Sequence, residues 1–291
     1  MNTSNSRPEL LAAYFTISGD VHPFGPTEVS PFHFRDRVRA AAEAGYCGLG
    51  IGYADLMAVG DQLGYAEMHR ILQGNGIKHI EFELLTDWYS EGPRRRESDQ
   101  QRIEFLKAAE ALGARGIKVW ADMGERIDHQ PKLIEEYAVL CRQAQEYGTK
   151  FLFEVTPFDT VRSISGAREI MEACGEKNSG LLLDIWHISR GHMNLHDISA
   201  LPKDMIQSIE LADADRYALS DVIADTCHRR RLCGEGCFDI DGFVRAVKAT
   251  GYEGPWGVEI LSETFRKAPL EKLASTSFEA ASKYLNFTLT E

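Results

Sequence analysis

Phe151-Leu152-Phe153-Glu154 and Leu181-Leu182-Leu183-Asp184 are short apolar runs that each close on an acid. Ile206-Gln207-Ser208-Ile209-Glu210 and Trp256-Gly257-Val258-Glu259 repeat the arrangement further along the chain. Apolar runs of this length read as strands buried on both faces, which is the habit of a parallel sheet. Parallel strands share one carboxyl-terminal edge, so Glu154, Asp184, Glu210 and Glu259 would converge on one rim. In an α/β barrel that rim carries the reactive groups. Carboxylates gathered there repel one another unless protons are shared or a cation intervenes, and oxygen donors suit Mg²⁺ or Mn²⁺.

The same alternation extends outward in both directions. Residues 10–15 read as a first strand, and residues 32–44 as a helix stopped by Gly45. Strands then follow at 48–51, 77–84 and 117–120, separated by helices at 65–73 and 98–112. Residues 131–147 form a helix before the Glu154 strand, 161–174 precede the Asp184 strand, and 195–205 make a weaker connection to the Glu210 strand. Helical runs at 239–250 and 269–285 flank the Glu259 strand. Eight strand–helix units predict an α/β chain folded as a single (β/α)8 TIM barrel, with residues 1–291 as one domain. A doubly wound sheet also alternates, but normally places a G-x-G-x-x-G turn after its first strand. Neither Ser18-Gly19-Asp20 nor Gly48-Leu49-Gly50-Ile51-Gly52 has that spacing, and these glycines read instead as allowing tight packing or turns.

The formal charge of −12, from 44 acidic against 32 basic residues, opposes a broad nucleic-acid footprint. Arg94-Arg95-Arg96 runs straight into Glu97 and reads as a solvated turn before a helix. No stretch reaches the roughly 18 apolar residues of a membrane span, and residues 1–9 have no apolar secretory core, so a cytoplasmic setting is expected. The six cysteines sit in a chain large enough to fold without staples. Cys227-x5-Cys233-x3-Cys237 lacks the close pair of a structural zinc site, so free thiols are expected.

The four acidic strand ends are the candidate metal ligands; the competing reading is a set of caps or solvated carboxylates. Four ionised carboxylates around one dication leave a local charge of about −2, so basic neighbours are needed. Lys118, His187 and Arg216 are the candidates. His187 stands three residues after Asp184 and can donate to a substrate oxygen or hold a carboxylate; a packing role is the alternative. Arg216 follows Asp213, which could orient its fork of donors towards a hydroxyl or carboxylate, although a surface pair is open too. In His228-Arg229-Arg230-Arg231-Leu232-Cys233-Gly234-Glu235-Gly236 the glycines could fold the chain over a pocket with Arg231 facing inward. Phe15, Trp88, Trp120, Phe158 and Trp186 fall at strand ends or loops, where they would wall a sugar site or fill the core.

The ordered units Phe151-Leu152-Phe153-Glu154, Leu182-Leu183-Asp184-Ile185-Trp186-His187, Ile209-Glu210-Leu211-Ala212-Asp213 and Gly257-Val258-Glu259 resemble the xylose-isomerase-like TIM-barrel superfamily. Its sugar phosphate isomerase/epimerase branch is the nearest in pattern. The resemblance implies one divalent metal ion held by Glu154, Asp184, Glu210 and Glu259, with Mn²⁺ preferred and Mg²⁺ or Co²⁺ as alternatives. It also implies that Glu154 and Glu259 handle substrate protons and that His187 and Arg216 contact substrate. Lys118, Trp120 and Arg231 join them as expected substrate-binding residues. The superfamily's third ligand is often histidine and sometimes glutamine; Glu210 makes this cup more oxygen-rich and more negative. The expected activity is metal-dependent isomerisation or epimerisation of a ketose or related polyol, by proton abstraction α to a carbonyl and a metal-stabilised enediolate. The alternatives are a lyase or dehydratase acting on a keto-sugar, keto-inositol or dehydroshikimate-like acid, and a noncatalytic carbohydrate-binding barrel. The expected partner is a small sugar or cyclic polyol, with no nucleic acid and no membrane; a homo-oligomer is compatible with the sequence.

Overall fold

Most short apolar runs of the sequence extend as strands, and the stretches with apolar residues at helical spacing coil back over the sheet. The computed structural model describes residues 8–121 and 130–285; the polar start at residues 1–7 lies outside them. Seven strands come in order: β1 (Leu10–Ala12), β2 (Gly48–Gly52), β3 (His79–Leu85), β4 (Gly116–Val119), β5 (Phe151–Glu154), β6 (Gly180–Asp184) and β7 (Ile206–Leu211). A two-stranded ribbon of β8 (Asp213–Ala214) and β9 (Arg230–Arg231) follows, and then β10 (Trp256–Val258). The eight strands other than the ribbon are parallel and close into a barrel, ordered β1-β10-β7-β6-β5-β4-β3-β2. Closure falls between the first and last strands, where Leu10, Leu11 and Ala12 pair with Trp256, Gly257 and Val258. The architecture is thus the (β/α)8 barrel that the alternating units predict.

The first strand is shorter than the apolar run suggests. It stops at Ala12, and Tyr14–Ile17 forms a turn of helix, because an apolar run alone does not distinguish strand from buried helix. The outer helices bury one stripe each. Helix Phe34–Ala44 turns Phe34, Val38, Ala40 and Ala41 inward, and Ile240–Ala249 turns in Ile240, Phe243, Val244 and Val247. Gly45 ends the first of these at φ 110°, the left-handed geometry that a side chain would resist.

Inside the barrel, polar residues stack in layers. Nearer the amino-terminal ends of the strands, Ser208 donates to Glu81 at 3.0 Å and Arg115 pairs with the same carboxylate. Two residues further along each strand, Glu83 and Glu210 reach the next layer, where buried Lys118 meets both. Room for Glu83 comes from Gly50: a Cβ there would sit 2.6 Å from Glu83 Oε1. Among the described residues, no helix is long and apolar enough to cross a membrane.

Candidate metal centre

The carboxyl-terminal rim places Glu154 at the end of β5, Asp184 at the end of β6, Glu210 one residue before the end of β7, and Glu259 directly after β10. Register brings Asp184 beside Glu210 across β6 and β7, and Gly257 beside Glu210 across β7 and β10. All four are buried. With His187 and Glu83 they fall into two groups, within each of which the atoms able to ligate lie no more than 4.8 Å apart: Glu154, Asp184 and His187, and Glu83, Glu210 and Glu259.

Each group has its own supports. Asp184 caps the helix Ile185–Arg190 by accepting from Trp186 N at 2.8 Å, and that one turn returns His187 to the cup. His187 Nε2 lies 3.2 Å from Glu154 Oε1 and 3.7 Å from Asp184 Oδ2. Trp120 donates its indole N–H to Glu154 Oε2. Across the cup, the Lys118 ammonium contacts Glu210, lies 3.0 Å from Glu83 and lies 3.6 Å from Glu259. Arg230 Nη1 sits 2.5 Å from Asp184 Oδ2 and 2.9 Å from Glu259 Oε2, so a single nitrogen bridges the two groups.

Five buried carboxylates therefore face two permanent cations. Burial and the neighbouring Glu259 hold the Glu210 carboxyl well above its usual range despite Lys118. Burial pushes Glu259 up to about 7, with Glu83 and Asp184 adding to the rise against the pull of Arg230 and Lys118. Glu154 goes the other way: burial raises it, but the hydrogen bond and charge of His187 bring it down to about 2. Lys118 is opposed by burial, yet Glu210 and Glu83 hold its ammonium well above the ordinary lysine range.

A divalent cation fits these residues on three counts. Negative charge is in excess, the donors are carboxylate oxygens and an imidazole, and Glu210 Oε2 is buried with no hydrogen-bond partner among the described residues. His187 Nδ1 shares that condition.

Of the residues expected to touch substrate, Lys118, Trp120 and His187 line one cavity of about 270 Å³ together with Glu83, Glu154 and Glu259. Phe15 lines it as well, whereas Trp88 and Trp186 are fully buried. The two expected arginines lie elsewhere. Arg216 is exposed, and Asp213 does not orient it. Asp213 instead accepts from the N–H groups of Gly234, Gly236 and Phe238, pinning the glycine loop. Arg231 also fails to face inward: it is exposed and pairs with Asp215 at 2.8 Å. The alternation of the ribbon explains the exchange, since successive side chains of a strand point to opposite faces. With Arg231 outward, Arg230 enters the cup.

Sequence reasoning thus passed over Arg230 and Glu83. For Glu83 a signal was available, because Glu81 and Glu83 are two apart on one strand and so share its inner face.

A family model described as xylose isomerase-like TIM barrel matches residues 38–284. The chain is 26% identical over 242 residues to a 3-dehydroshikimate dehydratase of Pseudomonas aeruginosa; the match covers 80% of this chain but 37% of that protein. It is 27% identical over 154 residues to an inosose isomerase of Halalkalibacterium halodurans, covering 51% of this chain and 54% of that one. Among solved structures, IOLI protein with a binding zinc atom superposes with a TM-score of 0.82 at 17% identity, over 96% of this chain and 98% of that one. D-psicose 3-epimerase from Clostridium cellulolyticum H10 gives 0.72 at 14% identity, over 96% and 99%. With most of its length matched by the family model and its eight strands closed in parallel, the chain belongs to the xylose isomerase-like TIM barrel family.

Proposed function

We propose that this protein is a divalent-cation-assisted isomerase or epimerase of a small ketose or cyclic keto-polyol, acting by proton transfer α to a carbonyl, with residues 1–291 working as one cytoplasmic unit. The observation that carries this reading is the convergence of Glu154, Glu259, His187 and Lys118 on one small, partly aromatic cavity. Such a cavity matches a sugar-sized ligand with directional polar contacts. Glu154, Asp184 and Glu259, with the free oxygen of Glu210, would hold the cation, Mn²⁺ in preference to Mg²⁺ or Co²⁺. When bound, it supplies Lewis-acid polarisation of a carbonyl oxygen.

The chain's own groups do the rest. One of the pair Glu154 and Glu259 takes the proton from the carbon beside the carbonyl, and the other returns a proton to the adjacent or opposite position. His187 and Lys118 donate to substrate oxygens and steady the charge that develops on them. Trp120 orients Glu154 through its indole N–H while offering its ring to the apolar face of the substrate.

A second reading is elimination, and the alignment with the dehydratase over 80% of this chain favours keeping it. The same carbon loses its proton, but the electron pair expels a β-hydroxyl that takes a proton from His187 or Glu259 and departs as water. Incubating the Mn²⁺-loaded protein with keto-sugars and keto-inositols in deuterated water, followed by mass analysis, separates the two. An isomer of unchanged formula carrying deuterium at the exchanging carbon supports the first reading, and a product lighter by one water supports the second. Tight sugar binding without exchange or conversion across the panel would defeat both and point to a noncatalytic barrel.

A further inference from the structure

We propose that Arg230 is an internal counter-ion for the ligand carboxylates of the cup, released when a divalent cation binds, so that cation loading frees the guanidinium to face substrate. This inference rests on the cation-assisted reading above.

One nitrogen of Arg230 holds Asp184 at 2.5 Å and Glu259 at 2.9 Å. These carboxylates stand at the rims of β6 and β10, the barrel strands on either side of β7, and both belong to the set that would hold a cation. Two cations drawn to the same buried oxygens repel each other strongly in a dry site. Arg230 therefore competes with the ion for these two oxygens. Lys118 competes less directly, since it contacts Glu210 through Oε1 and leaves Oε2 without a hydrogen-bond partner among the described residues, and its other near contact, Glu83, lies outside the proposed ligand set.

The rest of the Arg230 environment permits a move. Its other contacts are modest: Nε to Thr226 O at 3.3 Å and Nη2 to Thr226 Oγ1 at 3.0 Å. The guanidinium carbon lies 5.3 Å from the Trp186 ring centroid, a contact that survives small displacements. Arg230 borders the substrate cavity and also a second cavity of about 440 Å³ shared with Asp215, Glu235 and Glu263. The two cavities are where a released guanidinium would go, while the backbone is held by the hydrogen bond from Arg230 N to Leu261 O at 3.0 Å.

The test is calorimetric titration of Mn²⁺ into chelator-treated wild type, Arg230→Met and Arg230→Lys, each as the full chain. Removing the competing charge should make Arg230→Met bind Mn²⁺ about tenfold or more tightly than wild type, and Arg230→Lys, which keeps a cation, should fall between them. Equal or weaker binding by Arg230→Met, with wild type binding normally, would overturn the inference and leave the cation-assisted reading standing. Binding by neither protein would overturn that reading, and the inference with it. Should Arg230→Met fail to fold, Arg230→Gln carries the same expectation and the same reversal.

Discussion

Glu259 forms an ion pair with Arg230 at 2.9 Å and lies 3.6 Å from Lys118, so its charge is shared among an arginine, a lysine and any cation in the cup. Glu259→Gln keeps the volume and removes the charge. We expect Mn²⁺ affinity to fall by about tenfold or more and turnover to fall with it, while circular dichroism stays close to wild type. Normal affinity with lost turnover would assign Glu259 to proton transfer alone. The raised carboxyl also sets a pH dependence. Its folded value of about 7 lies above the ordinary 4.5, so the cation-free protein draws stability from this group below about pH 4.5 and loses it as pH rises through 7. A cation must displace that proton, so Mn²⁺ affinity should rise between about pH 5.5 and 7.5. Titrations at both ends of that window check the sign, and a flat profile would place the ion away from Glu259. The four acids were legible because parallel strands in a closed barrel share one rim, so acids near their carboxyl-terminal ends meet there. Arg230 was not, because three adjacent arginines differ only in the alternation of a two-residue strand.

The ribbon and its loop depend on Asp213. Its buried carboxylate accepts from Gly234 at 3.0 Å and from Gly236 and Phe238 at 2.9 Å, as well as from its own neighbour Ala214 at 2.8 Å. No other carboxylate in the described residues ties the loop so directly to β8. Asp213→Ala should cost about 3 kcal/mol, since several charge-assisted bonds are lost together and the loop N–H groups are left without their acceptor. It should also disturb Arg230 at the start of the same loop. Denaturant unfolding measures the first effect; an altered Mn²⁺ affinity at unchanged far-ultraviolet dichroism measures the second. Gly257 poses a related constraint on β10, where a Cβ would lie 2.7 Å from the Ile209 carbonyl and 2.9 Å from Glu210 Cγ. Gly257→Ala should therefore cost about 1–3 kcal/mol and shift both Glu210 and Glu259. At this scale the sequence was readable wherever apolar period and breakers agreed, as in the helix Phe34–Ala44 before Gly45. It was misleading where Tyr14 and Phe15 prolonged an apolar run past the real end of β1. The ribbon itself carried no apolar pattern, so nothing in periodicity announced it.

Across the whole molecule, eight repeated units determine the closed barrel, and closure is what brings acids distant in sequence to one mouth. That much follows from strand order, because parallel strands in a ring have one shared rim. The reaction does not follow in the same way: removing a proton beside a carbonyl serves both isomerisation and dehydration, and the chain spans only 37% of the dehydratase it matches. A property of the whole fold can nevertheless be predicted from the cup. Its excess of buried negative charge weakens the native state without a cation, and an ion that binds only the folded rim stabilises it by mass action. At about a thousandfold over its dissociation constant, Mn²⁺ should add about 4 kcal/mol. For a chain of this length that corresponds to a rise in Tm of about 6–7 °C. Scanning calorimetry with graded Mn²⁺ should show Tm climbing with the logarithm of free ion, and excess chelator should reverse the climb. Because Glu259 is one of the carboxylates proposed to link ion to fold, the Tm of Glu259→Gln should rise less over the same series. An equal rise in both proteins would mean that the stabilising ion sits outside the cup.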